Sequence, residues 1–236
     1  MNKNLVLIGI QARSGSTRLP NKAFELISGK TMLDRVIETC KKASSYINNN
    51  TGLRTRVVVL TPFKDPIVDE FHDRCEVIEG PEFDVLARYV AAAKTYQAGA
   101  VIRVTGDCPL LPSFLISKLI TLRDVKEYDY VSNTDPRFRT SLDGADCEAM
   151  SARMLEYTGE AAKEPYDREH VTTYMRKHPP IWAKLGCVVN YFDHSDLKLS
   201  VDTKEDLERV RHAFGSANEK YQQAILTFGS QAVHRV

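Results

Sequence analysis

From residue 5 to residue 22 the chain reads Leu5-Val6-Leu7-Ile8-Gly9-Ile10-Gln11-Ala12-Arg13-Ser14-Gly15-Ser16-Thr17-Arg18-Leu19-Pro20-Asn21-Lys22. Six apolar residues form a buried strand, and the strand breaks into a loop of small residues that carries three fixed cations, Arg13, Arg18 and Lys22. Ser14, Gly15 and Ser16 keep that loop slim, so backbone N–H groups can approach an anion while guanidinium groups grip it in forked pairs. Such an arrangement suits a polyphosphate and points to a nucleotide site. A solvated basic loop is the plain alternative. The strand before it and the amphipathic helix pattern after it favour the site.

Outward from this loop, short Val-, Ile- and Leu-rich segments recur at 56–60, 76–78, 101–104, 128–131, 184–189 and 198–201, each read as a strand. Helical patterns lie between them. Leu33, Val36, Ile37 and Cys40 share one face, as do Val85, Leu86, Tyr89, Val90 and Ala93, and then Leu115, Leu119 and Leu122. Strands alternating with helices predict an α/β fold with a mostly parallel sheet covered on both sides. Thr203 with Asp206 three residues on resembles a capping box and opens a helix through Leu207, Val210 and Phe214. Residues 135–147 lack periodicity and contain Pro136 and Gly144, so they predict a long loop near the site or a β-arm. Residues 216–236 predict a helix with Tyr221, Ile225 and Leu226 on its inner side.

The 236 residues show no linker or charge block that would divide them, which predicts one domain. A net charge of +1 lacks the footprint of a nucleic-acid binder, so the cations must act locally. Five widely spaced cysteines without a Cys-x-x-Cys pair argue against a disulfide framework and a zinc knuckle, and fit a reducing cytoplasm. Gln11 and Arg13 end the first apolar run too soon for a secretory signal, and no segment reaches membrane-spanning length.

A second constellation is Arg103-Val104-Thr105-Gly106-Asp107-Cys108-Pro109, where Gly106 permits a sharp turn and places Asp107 at the carboxyl end of a strand. Open α/β sheets bind ligands there. A turn or cap carboxylate is the alternative for Asp107. A cap of the following helix is the alternative for Asp202 in Ser200-Val201-Asp202-Thr203.

Five segments, in order, resemble one family: the basic loop, Asp84-Val85-Leu86-Ala87-Arg88-Tyr89, Gly106-Asp107-Cys108-Pro109-Leu110, Asp129-Tyr130-Val131-Ser132-Asn133-Thr134 and Arg168-Glu169-His170-Val171-Thr172. The resemblance is to the cytidylyltransferases that make CMP-activated acid sugars, and within them to the branch of spore-coat polysaccharide biosynthesis protein F. It runs from about residue 5 to about residue 212. It implies a Rossmann-like nucleotide-diphospho-sugar transferase (GT-A) fold, with a nucleotide half at about 1–112, an acceptor and dimer half at about 113–215, and a C-terminal helix and tail at 216–236.

The activity implied is transfer of CMP from CTP to an anionic acceptor with release of pyrophosphate, supported by Mg²⁺. On this resemblance Asp107 and Asp202 hold one or two magnesium ions, and Arg13, Arg18 and Lys22 hold the β- and γ-phosphates. Ala12, Ser14, Gly15, Ser16, Arg88, Thr105 and Gly106 complete the nucleotide site; for Arg88 a structural ion pair is the alternative. Asp146, Glu148, Arg168, Glu169 and His170 face the acceptor, although Arg168 and Glu169 would equally make a solvated ion pair. Leu142 and Cys147 depart from the family's usual Pro and larger aliphatic, which leaves the shape of that loop open. A homodimer through the arm after Pro136 is also implied. The acceptor would be an acid sugar or, in the alternative, a phosphonate or phosphate monoester. A dinucleotide oxidoreductase would need Gly-x-Gly-x-x-Gly where Gln11-Ala12-Arg13-Ser14-Gly15-Ser16 stands, and a glycosyltransferase would usually show Asp-x-Asp, which is absent. A non-catalytic nucleotide-binding protein is the remaining rival, disfavoured by the two carboxylates and three cations.

Overall fold

The computed structural model describes residues 2–215 and 231–235. Its first strand, β1 (Asn2–Gln11), is central. A small hairpin, β2 (Leu26–Ile27) and β3 (Lys30–Thr31), leads into α1 (Met32–Asn50), whose N-terminus Thr31 caps by accepting from the Asp34 N–H. Next come β4 (Arg54–Pro62), α2 (Ile67–Phe71), β5 (Glu76–Gly80), α3 (Val85–Thr95) and β6 (Ala98–Thr105). The second half supplies α4 (Ser113–Lys126), β7 (Tyr130–Ser132), β8 (Cys147–Ser151), α5 (Ala152–Ala161), α6 (Pro165–Glu169), α7 (Thr173–Lys177), β9 (Leu185–Asn190), α8 (Lys204–Gly215) and β10 (Gln231–Arg235).

Eight strands make one sheet in the order β10-β9-β7-β8-β6-β1-β4-β5. The pairs β1–β4, β1–β6, β4–β5 and β7–β9 are parallel, whereas β6–β8, β7–β8 and β9–β10 are antiparallel. One apolar core lies between the sheet and α1, α4 and α8; a second lies between the sheet and α3, α5 and α7. The strands buried on both faces explain the continuous apolar runs read in the sequence. All five cysteines are buried free thiols. Among the described residues no helix is long and apolar enough to cross a membrane.

Three expectations need correction. Residues 198–201 are not a strand: Leu199, Ser200 and Val201 are all buried, but the N–H groups of Leu199 and Val201 bond to Asp143 O and Asp107 O, and only the bridge Asp143–Lys198 is sheet-like. Cys147–Ser151, assigned in part to a loop, is a strand buried along its whole length. Gln231–Arg235 is a strand on β9, while the helix expected at 216–230, with Tyr221, Ile225 and Leu226, lies outside the described residues.

The chain steps outward from β1 to β4 and β5, then returns through α3 to β6 on the other side of β1. That reversal opens a crevice at the carboxyl ends of β1 and β6, where ligands bind in open α/β sheets. Gln11 pairs with Leu60 on one side and Thr105 on the other, so the basic loop and Asp107 leave the sheet side by side.

Candidate active site

The basic loop folds on itself, with Ser14 O accepting from the N–H groups of Ser16 and Asn21 at 2.8 and 2.9 Å. Leu19 is buried and pins the loop to the core, and Asn21 takes a left-handed conformation (φ 59°) that aims Lys22 inward. Across the crevice Gly106 donates its N–H to Gln11 O at 2.8 Å. A Cβ at Gly106 would lie 3.0 Å from both Ala12 Cβ and Gln11 O, so any larger residue would push the two turns apart by a few tenths of an ångström.

Lys22 is the hinge of the site. Its ammonium donates to Asp107 Oδ2 at 2.9 Å, to Asp202 Oδ1 at 3.2 Å and to Val201 O at 2.7 Å. Arg18 reaches Asp202 Oδ1 at 2.9 Å and Lys198 reaches Asp202 Oδ2 at 3.3 Å. Burial on its own raises the Asp107 carboxyl, but Lys22 outweighs it and holds Asp107 below the usual carboxylate range. Two hard oxygen donors thus converge on one cation, the arrangement a divalent ion requires, with remaining positions left to phosphate and water. Among the described residues no cluster of three or more His, Cys, Asp or Glu ligands occurs.

Asp202 does not cap α8. Thr203 Oγ1 accepts from Asp206 N–H at 3.3 Å, and Asp206 Oδ2 accepts from the N–H groups of Asp202 and Thr203 at 3.1 Å. This capping box leaves the Asp202 carboxylate to the site.

A cavity of about 320 Å³ lies over these groups. Ala12, Arg13, Ser16, Arg18, Lys22, Arg88, Gly106, Asp107, Glu169, His170 and Asp202 line it, so the structure brings eleven of the expected residues together. Arg13 and Glu169 face each other at 3.9 Å. His170 ends α6 with its ring against Tyr166, and the next residue, Val171, is a buried β-branched residue at φ 58°. Such backbone costs on the order of 1–3 kcal/mol and marks a constrained segment at the cavity wall.

The other expected residues lie elsewhere. Ser14 gives its N–H and hydroxyl to Asp65 Oδ2 at 2.9 and 3.1 Å, and neither it nor Gly15 lines the cavity. Thr105 Oγ1 meets the Cys108 thiol at 3.0 Å. Arg168 is turned away, paired with Asp84 Oδ2 at 2.6 Å and donating to Gly159 O and Ala162 O, so it ties α5 to the cap of α3. Asp146 pairs with Arg139 at 2.7 Å. Glu148, 1% exposed, is a hub: Arg103 and Arg176 pair with it, and the hydroxyls of Tyr130, Thr134 and Thr172 donate to it. Burial pushes its carboxyl up, but Arg103 and then Arg176 outweigh burial and hold it below its ordinary value.

Gln11, Thr17 and Val85 also line the cavity, and Lys198 adds a cation to Asp202, none of them expected. Gln11 stands next to the loop in sequence, so its place at the strand tip was available. Lys198 was hidden by the strand reading of its segment.

A cytidylyltransferase family model matches residues 7–228. The chain is 28% identical over 226 residues to the spore coat polysaccharide biosynthesis protein SpsF of Bacillus subtilis, covering 92% of this chain and 89% of that protein. It is similar to a cytidylyltransferase from Leptospira borgpetersenii of known structure, at 30% identity and a TM-score of 0.80, with 93% and 92% of the two chains covered. It shares its fold with a CMP:2-keto-3-deoxy-manno-octonic acid synthetase solved with CTP, at 20% identity and a TM-score of 0.64, covering 89% of this chain and 98% of that one. With the crevice, its cations and its paired carboxylates, these matches establish that the chain belongs to the cytidylyltransferase family and is a CTP-dependent nucleotidyltransferase.

Proposed function

We propose that this enzyme transfers CMP from CTP to an anionic acid sugar or related polysaccharide precursor. An acceptor oxygen attacks the α-phosphorus, and pyrophosphate leaves with the electrons of the broken P–O bond. The observation that carries this reading is the convergence of Lys22 and Arg18 on Asp107 and Asp202 inside the switch-point cavity. Asp107 and Asp202 would hold a magnesium ion, which when bound neutralises charge on the triphosphate.

Arg18 is 65% exposed, and its pair with Asp202 is of the weak surface kind, so it is free to turn onto the leaving pyrophosphate. Arg13 and Lys22 take the neighbouring phosphate oxygens. The cavity orients the reactants in line, which is most of what such a transfer asks of a protein. Glu169 and His170, at the end of α6, line the cavity and form the acceptor wall. A homodimer joined through the arm at 135–147 belongs to the same reading, supported by exposed Tyr191 and Phe192 on the segment that bonds to Thr140.

The test is pyrophosphate release with CTP and Mg²⁺ against a panel of acid sugars, phosphonates and phosphate monoesters. Release with an acid sugar alone is the expected result. Release only with a phosphate or phosphonate acceptor overturns the acid-sugar assignment, and no release with any acceptor, though CTP binds, favours the non-catalytic rival.

A further inference from the structure

Asp65 does not line the cavity, yet the basic loop hangs on it. It lies between β4 and α2 and is 8% exposed. Its Oδ2 accepts from both the N–H and the hydroxyl of Ser14, at 2.9 and 3.1 Å, and its Oδ1 accepts from the Ile67 N–H at 3.0 Å. Three neutral donors therefore share the two oxygens. That explains the residue type: both oxygens must accept, and an amide has only one acceptor oxygen. Asp65 is itself held in place. Its carbonyl accepts from the Val68 N–H at 3.0 Å, Ile67 and Phe71 of α2 are buried, and Lys64 just before it has a φ of 60°, which a residue with a side chain keeps only where its surroundings impose it.

Ser14 passes this constraint to the cations. Its carbonyl accepts from the N–H groups of Ser16 and Asn21, and Asn21 in its left-handed conformation is followed directly by Lys22, whose ammonium meets Asp107 and Asp202. The same α2 segment holds the loop again beyond Lys22. Phe24 closes the 3-10 turn Lys22–Phe24 and packs on Phe71, with ring centroids 5.8 Å apart. The loop is thus braced on both sides of its cations by one short segment, through Asp65 at the near end and Phe71 at the far end. The Ser14 N–H and hydroxyl point into the protein, so they shape the loop and leave the phosphates to Arg13, Arg18 and Lys22.

We propose that Asp65 is a positioning residue for nucleotide binding: acting through Ser14, it presets the basic loop in the shape that aims Arg13 and Lys22 at the triphosphate. This rests on the nucleotidyl-transfer reading above. A loop ordered in advance binds more tightly, because the ligand does not have to bear the cost of ordering it. Without the brace, that cost falls on every triphosphate that binds.

The experiment is a double-mutant cycle on the full chain, with binding of CTP and of inorganic triphosphate measured by calorimetry at a temperature where circular dichroism shows each variant folded. Asp65→Ala should weaken both ligands by at least about tenfold. Asp65→Asn should weaken them as much, because its NH₂ faces a donor wherever it turns. Ser14→Ala alone should weaken them by about threefold, and by close to nothing in the Asp65→Ala background, since the two residues act as one strut. A role confined to stability would lower Tm and the number of sites per chain and leave the Kd of the remaining sites unchanged; that result overturns the proposal. Additive effects of Ser14→Ala and Asp65→Ala overturn it too, because Ser14 would then hold the phosphates itself, and so does full affinity in Asp65→Asn. A wild-type measurement decides the matter should the Asp65 variants unfold. The Ser14 amide proton, bonded to Asp65, should keep its NMR position when inorganic triphosphate is added, and a displacement as large as those of Arg18 and Lys22 would show it turning to the ligand and refute the strut. A wild type that binds neither CTP nor triphosphate overturns the nucleotide reading beneath it as well.

Discussion

Glu148→Gln is the substitution whose outcome the structure fixes most closely. The amide keeps the shape of the side chain and can still accept from Thr172 or Thr134, so the change removes one charge from a packed site. It leaves Arg103 and Arg176 facing each other without their shared anion. Breaking a buried pair from one side costs about 3–5 kcal/mol. Arg103 and Arg176 keep 14% and 20% of their side-chain surface, which lets water relieve part of the loss and puts the expectation at about 3 kcal/mol. For a chain of this size that corresponds to a fall in Tm of about 6–12 °C. The assay is thermal and urea unfolding of both proteins at pH 7, with the acceptor KM measured alongside.

The same substitution predicts a pH signature. The folded pKa of Glu148 is depressed, so its stabilisation is present above its ordinary value of 4.5 and is lost as pH falls through the lower folded value. The gap between wild type and variant should be full at pH 7 and close only in strong acid. A Tm change under about 2 °C at pH 7 together with a raised acceptor KM would refute the reasoning, because Glu148 would then be facing the acceptor.

Asp107→Asn and Asp202→Asn should each lower kcat by at least about 10²-fold and abolish the extra thermal stability that Mg²⁺ adds to bound CTP, while the fold persists; near-wild-type rates in both would make the carboxylates structural. Arg18→Ala should weaken CTP binding by about 1.5–3 kcal/mol whatever acceptor is offered. His170→Ala should raise the acceptor KM and leave CTP binding, measured by calorimetry without acceptor, nearly unchanged; the reverse pattern would show that the cavity is divided differently.

The nucleotide side of the cavity was legible because its signals are local. An apolar run, small residues and closely spaced cations sit within 5–22, and Gly106-Asp107 follows directly on a strand. The residues expected to face the acceptor were only partly legible: Glu169 and His170 reach the cavity, but Asp146, Glu148 and Arg168 are held elsewhere by partners far off in sequence or space. Arg168 looked available for a ligand, yet Asp84, on the cap of α3, claims it. Glu148 sits in the middle of a fully buried strand, where a charge argues against burial until Arg103 and Arg176 arrive from β6 and α7 to cancel it. In 198–201 the burial was real, with Leu199, Ser200 and Val201 all covered, but burial does not report whether the backbone has a ladder partner.

Lys22 binds partners 85 and 180 residues further along the chain. During synthesis the loop leaves the ribosome long before Asp202 exists. At 5–20 residues per second the interval up to residue 202 is roughly 10–40 s, and through it the nascent protein carries Arg18 and Lys22 without the Asp202 carboxylate that pairs with both. On the proposed function, competence to hold a divalent ion and the nucleotide together is gained in one late step, when the segment before α8 docks beside Asp107. A fluorescent CTP analogue would register that step as the end of folding, and a truncated chain stopped before residue 202 would never signal it.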